Sequence, residues 1–263
     1  MRAAVVQLPA TGDKAANLAR LTDLVGRAAD TGAELVVGPE AVMHDFGRPD
    51  EPLGPVSEPL DGPFVAGLQE TAQDLGITVV AGMFESAADG RAYNTVVAVG
   101  PDGGLLGSYR KMHLFDALGW VESERLAPGS GDLLTFALGG LTFGVQTCYD
   151  VRFPELSRAL VDRGVDVLVV PAAWVAGPLK ERQWRTLVAA RAIESTAYAV
   201  VASQSPPRYV GCSAVIDPLG VTLAAVPTTE GLAVADLLPE RIAEVRQAIP
   251  SLQHRRFRVE PRP

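Results

Sequence analysis

The sequence predicts a single α/β domain, and three observations carry that prediction. Short runs rich in Val, Ile and Ala alternate along the chain with longer stretches whose apolar residues recur every three or four positions. No composition shift and no internal repeat divides the 263 residues. With 48% hydrophobic and 21% charged residues, the chain is composed like an ordinary globular protein and is long enough to bury a sizeable core.

The elements follow in order. Residues 2–8 read as a strand, rich in Ala and Val and ended by Pro9. Residues 14–31 read as a helix, with Leu18, Leu21, Leu24, Val25 and Ala28 on one face and Gly32 as the stop. A short strand at 34–38 breaks at Pro39, and the Pro- and Gly-rich stretch 44–62 reads as an ordered loop. A helix at 64–75 and a strand at 77–84 come next. Strands at 93–99 and 105–110 then make a hairpin around Pro101-Asp102-Gly103-Gly104. A second pair, 133–137 and 141–147, folds across Gly139-Gly140. Residues 153–163 are helical, 165–170 form a wholly apolar strand, 179–196 a long helix and 198–203 a strand. Strands near 210–216, 221–226 and 231–236 lead into a helix at 239–248, and 249–263 form a basic, proline-tipped tail.

Composition excludes several function classes. The net charge is −8 and the pI about 5.0, with no Lys/Arg-dense stretch, which argues against nucleic acid as a partner. The cluster His254-Arg255-Arg256-Phe257-Arg258 is too short to change that. No apolar run approaches a membrane span of about 18 residues, and the N-terminus shows no secretory signal, so a cytoplasmic location is expected. Cys148 and Cys212 cannot build a disulfide framework. With no HExxH, no CxxC and three scattered histidines, neither a metal nor another cofactor is expected.

Three strand-end segments carry candidate chemistry. Residues 141–156 run from an apolar strand through Cys148 into a helix. A side chain at such a turn is lifted off the sheet edge beside free backbone N–H groups, which suits a nucleophile; a buried core cysteine is the plainer alternative. A thiol attacks as thiolate and so needs a base or a cation nearby. Among histidines His113 is the best placed. Glu40, after an apolar strand and Pro39, either caps that strand in water or points into a cleft as a base. Lys111, from a chain with few lysines and many arginines, is either a solvated charge or a buried cation.

Together these segments resemble the nitrilase superfamily of carbon–nitrogen hydrolases, over nearly the whole chain. The resemblance rests on Gly38-Pro39-Glu40 (the family more often has Leu-Pro-Glu), on Tyr109-Arg110-Lys111-Met112-His113-Leu114-Phe115-Asp116, on the Glu-Ser-x-x-Leu-x-Pro-Gly pattern from Glu122, and on Cys148-Tyr149-Asp150-Val151-Arg152-Phe153-Pro154-Glu155-Leu156. Arg191-Ala192-Ile193-Glu194 and Asp217-Pro218-Leu219-Gly220 agree with it. It implies a four-layer α-β-β-α sandwich, paired through helices into a homodimer or larger homo-oligomer, with the helix 179–196 and the tail as candidate interfaces. It also implies Cys148 as nucleophile, Glu40 as general base, Lys111 as the cation for the oxyanion, and Glu122 as the glutamate that positions Lys111 and the substrate nitrogen; Glu124 is the neighbouring alternative. Under it His113 and Cys212 read as structural.

The substrate expected is a small amide. Members acting on nitriles usually show Cys-Trp-Glu, whereas this chain has Cys148-Tyr149-Asp150, similar to omega-amidase-like and general amidase branches. Tyr149 is a candidate to offer its backbone N–H to the oxyanion. Arg152 is a candidate for binding a substrate carboxylate, with anchoring of the following helix as its alternative. Met43, Phe46, Phe115, Trp174 and Trp184 are candidate pocket walls. The rival readings are an N-carbamoyl amino acid hydrolase using the same residues, a catalytically silent binding protein on this fold, and a thiol hydrolase using a Cys148–His113 pair.

Overall fold

A computed structural model describes residues 1–260. In chain order it forms β1 (Arg2–Gln7), α1 (Lys14–Ala29), β2 (Leu35–Val37), α2 (Pro63–Leu75), β3 (Thr78–Ser86), β4 (Ala92–Val99) and β5 (Leu105–Arg110). Three two-residue strands follow, β6 (Asp116–Ala117), β7 (Trp120–Val121) and β8 (Leu126–Ala127). The second half holds β9 (Thr135–Leu138), β10 (Leu141–Val145), α3 (Pro154–Asp162), β11 (Val167–Ala172), α4 (Lys180–Ser195) and β12 (Tyr198–Ser203). It closes with β13 (Ser213–Ile216), β14 (Thr222–Val226), β15 (Gly231–Asp236) and α5 (Pro239–Ala248).

Two mixed sheets of similar plan result. One runs β15-β1-β2-β3-β4-β5 with β8 beside β4; the other runs β14-β13-β12-β11-β10-β9. Each has three central parallel strands, β1-β2-β3 and β10-β11-β12, flanked by antiparallel ones.

Alternation along these strands builds the layers. Val5, Val37, Val80, Val145, Val169 and Val200 face one another between the two sheets. Their neighbours Ala4, Val36 and Val79 turn the other way, onto Leu21, Leu24 and Val25 of α1 and Phe64 and Leu68 of α2. On the far side Leu168, Val170 and Val201 meet Leu160 of α3 and Trp184, Val188 and Ala192 of α4. Three apolar seams between four layers make an α-β-β-α sandwich, as expected. It also explains why β2 and β11 are apolar at every position: both faces of each are covered.

The differences from the sequence reading are local. Residues 111–127, unassigned from pattern, hold β6–β8, too short to show a period. The helix expected at 153–163 begins at Pro154, whose fixed φ suits the first helical position, after a tight turn over Cys148–Arg152. In the tail, Arg255 folds back on Asp162 of α3, so at least that part packs on its own chain; residues 261–263 of the expected interface arm lie outside the described residues. No described helix is long and apolar enough to cross a membrane.

Candidate active site

The carboxyl ends of strands from both sheets meet at one end of the sandwich, the place where open α/β sheets bind ligands. Glu40 follows β2. Lys111 follows β5, which runs in the same direction as β2 because two antiparallel steps separate it from β3. Cys148 follows β10, beside the end of β11.

Glu40 is 1% exposed, and its carboxylate is fully committed. Oε1 accepts hydrogen bonds from Asn94 Nδ2 at 2.6 Å and Lys111 Nζ at 3.0 Å, and Oε2 accepts from the Ala173 backbone N–H at 2.6 Å. A carboxylate so wired is not a solvated strand cap. The chain passes very close to β3 here. A Cβ at Gly82 would lie 2.7 Å from Glu40 Cα, so only glycine permits the approach. Gln204 Nε2 ties the next turn by donating to the Glu40 carbonyl at 2.9 Å.

Lys111 is buried completely at its side chain and donates to both glutamates, with Glu122 Oε2 at 2.9 Å. Burial alone would lower the ammonium's pKa. The charges of Glu122 and Glu40 and the nearby Cys148 outweigh it, and the pKa is raised well above the ordinary lysine value. Glu122 also accepts the Phe115 N–H at 2.8 Å, which holds it toward Lys111 and distinguishes it from Glu124. Burial, and after it the Glu40 charge against the opposing Lys111, leave the Glu122 carboxyl above its usual range.

Cys148 adopts φ 48°, a left-handed conformation rare for a residue with a side chain. Asp150 holds the turn: its carboxylate accepts the Thr147 N–H at 2.8 Å and the Tyr109 hydroxyl at 2.7 Å, and lies 2.7 Å from His113 Nδ1. His113 stacks on Phe153 with ring centroids 3.7 Å apart, so its place is behind the turn, supporting it, with no hydrogen bond to Cys148. The thiol is buried. Burial and the Glu40 charge push it well above its ordinary value, while Lys111 pulls the other way.

A cavity opens onto Cys148 and Glu122. Its walls include Phe46, Phe115 and Trp174, three of the expected wall residues, and Tyr149, singled out from sequence for its backbone N–H. Phe115 and Tyr149 meet edge to face at 5.0 Å. Met43 and Trp184 lie elsewhere: Met43 is fully buried in the apolar seam under α1 and α2, and Trp184 packs from α4 onto the second sheet. Their size and apolarity carried no information about which seam they fill. Arg152 does not line the cavity either. It donates to Gln183 at 2.6 Å and lies 4.9 Å over the Trp174 ring. Sequence reasoning missed Asn94, the Ala173 N–H, Lys180 and Tyr209. A polar Asn94 inside an apolar strand was the one available signal. Among the described residues no group of three His, Cys, Asp or Glu side chains is arranged to hold a metal ion.

Comparison with known proteins agrees with this geometry. The carbon-nitrogen hydrolase family model matches residues 2–247. A deaminated glutathione amidase of Escherichia coli O157:H7 is 38% identical over 234 residues, covering 89% of each chain. An omega-amidase of Danio rerio is 38% identical over 269 residues, covering 97% of this chain and 94% of its own. Among solved structures, a variant amidase from Nesterenkonia sp. AN1 superposes with a TM-score of 0.84 at 28% identity, covering 97% of this chain and 94% of that one; it carries the acetamide moiety of fluoroacetamide added covalently at its active-site cysteine. A match over nearly the whole chain, relatives well above 30% identity and a shared sandwich leave one conclusion: this chain belongs to the carbon–nitrogen hydrolase family of the nitrilase superfamily.

Proposed function

We propose that the protein hydrolyses a small amide to a carboxylate and ammonia through a thioester on Cys148. The observation that carries this reading is the buried Glu40–Lys111–Glu122 chain of hydrogen bonds, whose Glu122 forms the floor of a cavity together with Cys148. An amide carbonyl is a poor electrophile and its nitrogen a poor leaving group, and this arrangement meets both difficulties.

At rest the thiol keeps its proton, because burial and the Glu40 charge raise its pKa. As the amide carbon approaches, Glu40 takes that proton and the sulfur bonds to the carbon. The carbonyl oxygen becomes an oxyanion, stabilised by the Lys111 ammonium, which stays charged because its pKa is so high. Glu40 then passes the proton to the nitrogen, the C–N bond breaks and ammonia leaves. Water, deprotonated by the same carboxylate, attacks the thioester; the C–S bond breaks and the thiol regains its proton. Glu122 holds Lys111 in place and faces the departing nitrogen.

The relatives named as amidases support an amide as the substrate, and the covalent adduct on the Nesterenkonia amidase supports a cysteine nucleophile. Exposed Ile193 on α4, with Leu219 and Val221 beside it in the fold, supports self-association through that helix. The test is ammonia release from a panel of short amides and carbamoyl amino acids. Ammonia without carbon dioxide is the expected result. Carbon dioxide released together with ammonia establishes the ureido reading instead, and no product from any compound overturns catalysis.

A further inference from the structure

Asn94 reaches the Glu40 carboxylate from β4, a strand that continues as Val96-Val97-Ala98-Val99. It is 1% exposed. Its backbone carbonyl accepts the Lys111 N–H at 2.8 Å, and its Nδ2 donates to Glu40 Oε1 at 2.6 Å. One residue thus fixes both the backbone of the cation and the carboxylate of the base. Its own Oδ1 is buried and has no partner among the described residues. An acceptor left unpaired in the interior costs stability, so packing alone favours an apolar side chain at this position. The donation to Glu40 is what the amide adds there.

That donation makes the two oxygens of Glu40 unlike. A carboxylate has about four acceptor positions, two on each oxygen. On Oε1 both are taken, by Asn94 Nδ2 and by Lys111 Nζ at 3.0 Å. On Oε2 only the Ala173 N–H donates, at 2.6 Å. The donors also come from different sheets. Asn94 in β4 and Lys111 just after β5 belong to the first. Ala173 follows β11 of the second sheet, whose β10 leads to Cys148, and Ala173 and Cys148 line the same cavity. The open acceptor position is therefore on the oxygen tied to the nucleophile's sheet. A proton on Oε1 displaces a donor already in place. A proton on Oε2 displaces none, because Oε1 then becomes the carbonyl oxygen and still accepts from both.

We propose that Asn94 is a positioning residue for the general base: by filling one acceptor position of Oε1, it leaves Oε2 as the seat of the proton that moves from the Cys148 thiol. The proton leaves Sγ for Oε2 as the sulfur bonds to the amide carbon, and Oε2 gives it to the departing nitrogen. Oε2 then takes a proton from the attacking water and returns it to the sulfur when the C–S bond breaks. Asn94 touches none of the reacting atoms. This inference rests on the amidase reading above and assigns the path of the proton within it.

The test replaces Asn94 by leucine, which has the same branching and no donor, and reads two rates. In Asn94→Leu, kcat for ammonia release from the best small amide is expected to fall about 10- to 100-fold with KM within about twofold, the size of one hydrogen bond to a charged group. Alkylation of Cys148 by iodoacetamide, followed by mass spectrometry of the peptide that contains it, is expected to slow by about 10-fold or more on the same basis. That reaction needs the thiol proton removed but no C–N bond broken. A purely structural amide predicts the opposite, since a loosened site exposes the thiol. A carboxylate relieved of one donor is also the stronger base, so faster alkylation means that Glu40 works by basicity and not by direction. Unchanged or faster alkylation therefore overturns the proposal, as does an unchanged kcat. Should Asn94→Leu not fold, Asn94→Val, suited to a strand, is read in the same way. Absence of ammonia from every amide with the wild type is a different failure: it removes the amidase reading, while the alkylation rates still decide the role of Asn94.

Discussion

The floor and the wall of the cavity treat charge in opposite ways. At the floor, Lys111 bridges Glu40 and Glu122 through hydrogen bonds of 2.9–3.0 Å, and each glutamate is held by further partners. At the wall, Lys180 shares the Trp174 ring with Arg152, which lies outside the lining, and among the described residues neither cation is paired with a carboxylate. The floor is complete before substrate arrives, as reaction chemistry requires when the groups must not reorganise during the step. The wall is not: the Lys180 ammonium has no hydrogen-bond or ion-pair partner among the described residues. The same polypeptide therefore spends folding energy to pre-organise one region and leaves the other unsatisfied.

Breaking the floor gives the largest effect. Cys148→Ala removes the atom proposed to form the thioester, and the rate of ammonia release is expected to fall at least about 10⁴-fold while the fold survives, since the side chain is small. A variant that kept measurable turnover would detach the chemistry from this residue. Lys111→Met leaves two buried carboxylates facing each other without their cation. A destabilisation of about 3–5 kcal/mol, the usual consequence of removing one member of a buried pair, should appear in chemical denaturation together with loss of activity. An unchanged midpoint would mean that the floor is not pre-paid in the way described. Gly82→Ala sharpens the same point without touching a charged group. Its methyl would press on the Glu40 backbone, and a loss of about 1–3 kcal/mol with reduced kcat is expected, read by melting and initial rates.

The smallest effect concerns pH. The Cys148 thiol is held above its ordinary value of 9.0, so the folded protein keeps a proton that the unfolded chain releases. Its contribution to stability is present in full below pH 9.0 and is lost as pH rises toward and through the folded value. Lys111, also raised, acts in the same sense from about its ordinary 10.5 upward. Melting temperatures should therefore fall between about pH 9 and pH 10.5 in the wild type. The fall should be shallower in Cys148→Ala, and parallel slopes would show that the thiol is not perturbed.

Much of this was legible in sequence where a local pattern meets a chemical requirement. Glu40, Lys111 and Cys148 each interrupt an apolar run at a strand end, so their placement at a sheet edge follows from the strand itself. Glu122 was legible as one of two glutamates; the Phe115 N–H that selects it lies seven residues away and is brought near only by β6 and β7. Met43 and Trp184 were indistinguishable in type from Phe115 and Trp174, because an apolar side chain does not report which apolar seam it enters. Lys180 gave no local signal, being an ordinary-looking lysine at the start of a helix.

Alternating strand patterns, apolar central strands and helix periodicity determined a single α/β domain, because such faces must be buried against one another; the four-layer sandwich was implied by the resemblance to a known family and not by the pattern. They also determined which strand ends carry ionisable groups. Only the tertiary structure decided how those groups pair. Glu40 and Lys111 stand 71 residues apart and meet at 3.0 Å, and the Ala173 N–H reaches Glu40 from the other sheet across 133 residues. Whether a buried charge is compensated depends on such distant neighbours, and the residue types along the chain hold no record of them.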